Sequence, residues 1–435
     1  MSMDATATIT LLCDNTDSPN WGCRATSLAL HDCLHRPDRR VRAFPRGLGV
    51  RTIARLPGRG VPKSVARLAN RVAGRMNAVS GPRTRTLARH LDAIDTDFDA
   101  SADRVVRAAR SNRRWGELVD AIRDSSMVVI NGEGSMIFTS PPRRDLLFQM
   151  TMARVAQRAG VPVHYVNAMV SPCPATGQHD DTVRACVPVL ADCASVVLRD
   201  PVSAEYLLSL GGSRTNASCA PDALFSWASW DDATAAPATF GVLDSFPERA
   251  VAFAGRPALP GSYVALSGAS VPPGVAREGW VQRFTDLAHA IEKTTGLPVV
   301  LVAPDAGDEF LRGVGEALGT PVVGPTAPLV AGCGLLASAS AYVSGRYHPS
   351  IMATLGGTPL VNFGANSHKL HGLAHLLGEP LPTLPTVDDR DFVEAVVTQL
   401  TKALTTGDAR VARRAQALEL GRDARAAYAG IGDPA

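Results

Sequence analysis

Short apolar runs of strand length alternate with amphipathic stretches of helix length along almost the whole chain, and this alternation limits the fold more than any single motif. Ile9-Thr10-Leu11-Leu12 precedes a polar turn and a helical pattern at 25–33. Met127-Val128-Val129-Ile130 ends at Asn131-Gly132-Glu133-Gly134-Ser135 and leads into a helical pattern at 146–158. Strand signals recur at 161–166 and 195–198. Between 227 and 260 the pattern decays into Ala, Asp, Pro and Gly, and a second strand–helix series then runs from 263 to 377. Alternation of this kind builds parallel α/β sheets. With 435 residues, 46% of them hydrophobic, the chain can bury two cores. The expected fold class is α/β, with two Rossmann-like, doubly wound domains facing across a cleft. The expected boundaries are 1–235, a linker at 236–260, and 261–435, with the last helix a candidate to pack back on the first domain.

Ligands of such folds sit beyond the C-terminal ends of the strands. The richest strand end here is Val343-Ser344-Gly345-Arg346-Tyr347-His348-Pro349. Arg346 and His348 lie two apart on what reads as an extended segment, so they should point the same way. A helix read as starting at Pro349 adds free N–H groups and the positive end of its dipole. Cation, imidazole and helix start together make an anion site with acid–base capacity.

Four other strand ends carry candidates. Cys13 to Gly22, containing Asn20, is a small polar loop suited to presenting backbone N–H groups to a ligand, but it lacks GxGxxG spacing, so a nicotinamide dinucleotide is not expected. Asn131-Gly132-Glu133-Gly134 brackets an acid with glycines that permit positive φ, so that Glu133 can orient a sugar hydroxyl or act as a general base. Arg199, after Val197-Leu198, can grip a carboxylate or phosphate bidentately, or form a surface pair with Asp200. Asp222, in Ala220-Pro221-Asp222, can shape the cleft, and Lys369, in Asn366-Ser367-His368-Lys369, adds a cation near Arg346.

The formal net charge is only +3, but it is uneven: 36–89 holds fifteen basic residues and Asp38 as its one acid, which is +14 and leaves −11 for the rest. Val65, Leu68, Val72 and Met76 fall on one helical face beside Lys63, Arg67, Arg71 and Arg75. This suits either a helix lying on an anionic membrane or an ordinary solvated surface helix. Aromatic residues do not interleave with the charge, which argues against nucleic acid. No apolar run approaches the ~20 residues of a membrane span. Met1 to Leu12 lacks the features of a signal peptide, so a cytoplasmic location is expected. The eight cysteines form no CxxC pair and read as buried, reduced thiols.

Taken in order, Asn20-Trp21-Gly22, Ile130-Asn131-Gly132-Glu133-Gly134, Leu198-Arg199-Asp200, Pro221-Asp222, Ser344-Gly345-Arg346-Tyr347-His348 and Lys369 resemble the polysaccharide pyruvyl transferase family. The resemblance implies a GT-B-like fold of two Rossmann-like domains. It also implies transfer of pyruvate from phosphoenolpyruvate to sugar hydroxyls as a cyclic ketal, with no cofactor and no metal. Arg199, Arg346 and His348 would be the donor-binding and catalytic positions. The acceptor would be a sugar or lipid-linked glycan of a cell envelope or exopolysaccharide. Two other functions fit the residues: a GT-B glycosyltransferase using a nucleotide sugar, and a non-catalytic protein that binds anionic glycan or membrane through 36–89.

Overall fold

The computed structural model describes residues 7–46, 94–173, 177, 179–212, 216–229, 251–253, 256–258, 261–270, 277–380, 384–405 and 409–433. The amphipathic pattern at 65–79 and most of the linker lie outside the described residues. Two parallel sheets form the frame. The first has six strands in the order β2-β1-β3-β4-β5-β6: β1 Ala7–Asp14, β2 Arg39–Pro45, β3 Met127–Phe138, β4 Val163–Pro172, β5 Ser195–Leu198 and β6 Ala217–Cys219. A short antiparallel pair follows, β7 Val251–Phe253 with β8 Arg256–Ala258, inside the stretch expected to be linker. The second sheet has five strands in the order β11-β10-β9-β12-β13: β9 Val264–Ala269, β10 Val299–Val302, β11 Val322–Val323, β12 Ala341–Gly345 and β13 Leu360–Asn362.

Alternation along the strands divides the core. In β3, Val128 and Ile130 face a cluster with Trp115, Met150 and Leu190, while Met127 and Val129 face the opposite side. In β9, Leu266 packs with Phe284 and Phe363, while Ala265 faces inward. The two inward faces share a single apolar cluster, which runs from Ile9 and Trp21 through Leu335 and Ile351 to Tyr428. Strands buried on both faces explain the near-continuous apolar runs of the sequence.

Three helices stitch the halves together. Helix α1, Trp21–Leu34, begins against the second domain: the Trp21 N–H donates to Pro304 O (3.0 Å) and its Nε1–H to Pro325 O (3.3 Å). The Trp21 ring is fully buried against Gly332, where a Cβ would stand 2.5 Å from it. Helix Tyr347–Leu355 carries His348 toward the first domain. The last helix, Ala409–Ala429, lies along the first domain's 3-10 turn at Ala223–Ser229, and the Tyr428 hydroxyl donates to Pro221 O (2.9 Å).

Three details differ from the sequence reading. The start of the basic stretch is an edge strand of the sheet: Arg39 is buried and reaches Asp433 (2.6 Å), while Arg40 and Arg42 are exposed. Strand β3 does not stop at Ile130 but runs on to Phe138 through a register shift after Glu133. The positive φ is at Glu133 itself (41°) and not at either flanking glycine. Gly132 is needed for close approach instead, since a Cβ there would lie 2.6 Å from Ala168.

Trp21→Ala should lower stability by about 3–5 kcal/mol, the usual cost of truncating a buried aromatic residue, as read by urea unfolding. A loss under about 1 kcal/mol would show that this ring does not hold the domains together.

Candidate functional site

The C-terminal ends of both sheets open onto one cleft of about 160 Å³. The second domain supplies Arg346, His348 and Lys369, and the first supplies Asn20, Glu133 and Arg199. Asn131 and Asp222 lie behind this lining, buried, and act on it through the residues they hold.

Asp222 organises the junction. Its Oδ1 accepts from the Thr26 hydroxyl (2.6 Å) and the Leu224 N–H (3.0 Å). Its Oδ2 is 3.3 Å from Arg199 Nη1 and 3.2 Å from His348 Nε2, and those two nitrogens are 3.2 Å apart. Thr26 itself accepts from Asn167 Nδ2 (2.9 Å), which directs the hydroxyl proton toward Asp222. Burial pushes the Asp222 carboxyl up, but His348, Arg199 and Thr26 outweigh it and bring it down to about 2. Arg199 is 1% exposed and lies over the Tyr347 ring, 4.0 Å from its centroid. The surface pair with Asp200 does not form: Asp200 caps the helix Pro201–Ser209 through the Ser203 N–H (2.8 Å).

Arg346 and His348 reach the same cleft by a different route from the expected one. The helix starts at Tyr347, two residues before Pro349, with Arg346 as its N-cap. Arg346 therefore turns within its own domain, where Nε and Nη2 grip Asp308 (3.0 and 2.6 Å), while His348 crosses to the first domain. Burial would lower the Arg346 pKa, but Asp308 and Asp305 hold the guanidinium charged. Gly22 makes room for the crossing, since a Cβ there would stand 2.6 Å from His348 Cβ.

Glu133 is buried, and its Oε1 accepts from Asn15 Nδ2 (2.6 Å), Asn131 Nδ2 (3.2 Å) and the Ser27 hydroxyl (3.4 Å), leaving Oε2 outside this cradle. Asn20 uses both ends of its side chain: Oδ1 caps α1 at the Cys23 N–H, and Nδ2 reaches across to Asp305 (2.5 Å). Lys369 donates to Asn366 Oδ1 (3.0 Å). Burial, with Arg346, Arg199 and Arg143 nearby, pulls the Lys369 ammonium well below its ordinary value.

Several cleft residues escaped the sequence reading. Asp305 and Asp308 follow β10 directly, the same strand-end signal used elsewhere, and Arg143 sits in Pro141-Pro142-Arg143-Arg144 just before a helix. Thr26 and Asn167 gave no local signal. Six of the eight cysteines are buried, and all are unpaired. Among the described residues no group of three His, Cys, Asp or Glu is placed to hold a metal, and no helix is long and apolar enough to cross a membrane.

Asp222→Ala strands the buried Arg199 charge and should cost about 3–5 kcal/mol. A carboxylate depressed in the folded state stabilises above its unfolded pKa, near 3.9. The stability gap between wild type and Asp222→Asn should therefore hold at neutral pH and shrink as pH falls from about 4 toward about 2. A gap that does not change over that range in chemical denaturation would contradict the ionised pairing.

The fold is shared with solved structures at very low identity. UDP-GlcNAc 2-epimerase from Neisseria meningitidis, bound to UDP-GlcNAc, aligns over 97% of this chain and 98% of its own, with a TM-score of 0.51 and 9% identity. Anabaena HepE, in complex with UDP, aligns over 97% of each chain with a TM-score of 0.51 and 12% identity. The S. aureus MnaA–UDP structure aligns over 96% of this chain and 94% of its own, with a TM-score of 0.52 and 9% identity. These likenesses establish a GT-B-like, two-domain α/β fold. A comparison with curated proteins returns no match. Residues 82–367 match the family described as polysaccharide pyruvyl transferase, a span of well over half the chain that takes in Glu133, Arg199, Asp222, Arg346 and His348. The chain is a transferase and belongs to the polysaccharide pyruvyl transferase family.

Proposed function

We propose that this transferase moves pyruvate from phosphoenolpyruvate to two hydroxyls of a cell-envelope or exopolysaccharide sugar, forming a ketal in the cleft between its domains. The observation that carries the reading is the placement of His348. Its Nε2 is fixed between a carboxylate and a guanidinium of the opposite domain, at the wall of a cleft rich in cations. Nδ1 has no hydrogen-bond partner among the described residues. When Nε2–H donates to Asp222, Nδ1 is the nitrogen that exchanges a proton with a ligand.

In the proposed reaction Arg199 and Arg346, each fixed by an aspartate, present oriented N–H groups to the donor. His348 gives a proton to the methylene carbon, and C2 becomes an oxocarbenium-like electrophile. A sugar hydroxyl adds to C2 and passes its proton to Glu133. The C2–O bond to phosphate then breaks, phosphate leaves with that oxygen and the bonding pair, and the second hydroxyl adds to the oxocarbenium-like C2 left behind and closes the ketal with loss of its proton to solvent or phosphate.

At 100 times its dissociation constant phosphoenolpyruvate should stabilise the fold by about 2.7 kcal/mol. Stabilisation by UDP-sugars and none by phosphoenolpyruvate would replace this reading with nucleotide-sugar transfer, the ligand type named for the solved structures of like fold. With cell-envelope glycan as acceptor, His348→Ala should cut phosphate release by about 10²–10⁴-fold, the range for general acid catalysis, with a much smaller loss of donor affinity. Full activity in His348→Ala would assign the proton to another group.

A further inference from the structure

Two fully buried carboxylates stand beside Arg199: Asp222, at 3.3 Å, and Asp200, the next residue in the chain. Each receives a histidine of the second domain. Asp222 takes His348, and Asp200 takes His368, whose Nε2 is 3.0 Å from the Ser203 hydroxyl and 3.7 Å from Asp200 Oδ1. Ser203 Oγ donates its proton to Asp200 Oδ2 (2.8 Å), because a carboxylate only accepts. The hydroxyl therefore accepts from His368, and the imidazole proton sits on Nε2. Burial pulls the His368 imidazole below its ordinary value, against Asp200 and with Arg199 and His371, so the ring is neutral near neutral pH and Nε2–H is its single donor. Ser203 is fully buried and its proton is committed to Asp200, so these three groups are not a nucleophilic triad.

His368 ends the loop that joins β13 to the helix Lys369–Leu376, and its side chain does not cap that helix. It crosses instead to the first domain, where Gly372 permits the approach: a Cβ there would stand 2.6 Å from Asp200 Cγ. Ser367, beside it, donates to Met169 Sδ (3.5 Å), also of the first domain. Asn366 and Lys369, on either side of these two anchors in the sequence, line the cleft and bond to each other (3.0 Å). We infer that His368 is a positioning residue: through Ser203 and Asp200 it fastens this loop to the first domain and sets where the cleft wall formed by Asn366 and Lys369 stands. Of the two histidines that cross between the domains, His348 lines the cleft and His368 stands behind it. The assignment goes beyond the proposed reaction, since it holds for any ligand the cleft takes.

Nuclear magnetic resonance of the full chain, isotopically labelled in its histidine rings, reads the tautomer at neutral pH, with His368 identified as the ring missing from His368→Gln. A proton on Nε2 and none on Nδ1 is expected, and a proton on Nδ1 alone overturns the proposal from the wild-type spectrum itself. Amide hydrogen exchange then reads the loop. Peptides covering 364–376 should exchange at least about fivefold faster in His368→Ala and in Ser203→Ala, the effect of losing one hydrogen bond. His368→Gln keeps an amide N–H donor near the place of Nε2 and should stay within about twofold of wild type. Arg184→Gln, on the exposed surface, should change neither readout. Near-ultraviolet circular dichroism checks that each variant is folded, and if His368→Ala is not, Ser203→Ala and the wild-type tautomer decide. Unchanged exchange in both Ala variants, no recovery in His368→Gln, or equal acceleration across both domains overturns the positioning role. Neither readout uses a ligand, so the two ideas fail separately. The Nε2 proton and the local exchange pattern without phosphate release from phosphoenolpyruvate keep this role and remove the reaction, whereas an Nδ1 proton with phosphate release does the reverse.

Discussion

A guanidinium removed from water needs a fixed countercharge, and Arg199 has one in Asp222. That carboxylate accepts four donors at once: Thr26 and the Leu224 N–H on one oxygen, Arg199 and His348 on the other. Three of them come from the first domain and one from the second, so the electrostatics of a single buried acid depend on how the domains are docked. The Trp21 ring behind Gly332 and the last helix on the 3-10 turn at Ala223–Ser229 maintain that docking through apolar contact. Packing fixes the distance between the halves, and the hydrogen bonds fix their register.

The same arrangement separates two uses of positive charge. Arg199 is held by Asp222, and Arg346 by Asp308 and Asp305, all of their own domains, which makes them rigid donors rather than free cations. Arg143 and Lys369 meet only neutral oxygen acceptors, the Gly134 carbonyl and the Asn366 amide, and have no ion-pair partner among the described residues.

The frame was legible in the sequence because parallel strands buried on both faces leave unbroken apolar runs, as at Met127–Ile130 and Val299–Val302, and their ends carry the polar chemistry. The edge strand Arg39–Pro45 was missed because an open edge tolerates arginines, and its charge made it look like part of an insertion. The partners of the site were harder to read. Asp308 lies 38 residues from Arg346, and Thr26 lies 196 from Asp222, and only the fold brings such residues together. Local rules also misled: two residues apart means the same side on a strand, but a helix begins between Arg346 and His348 and sends their side chains to opposite domains.

In the proposed reaction, pyruvyl transfer begins with a proton placed on the methylene carbon of phosphoenolpyruvate. Running the reaction with a glycan acceptor in heavy water and analysing the ketal by mass spectrometry tests it directly. Each ketal methyl group formed by the wild-type enzyme should carry one deuterium. A ketal methyl formed without solvent deuterium, or no ketal from phosphoenolpyruvate with any cell-envelope glycan, would contradict it.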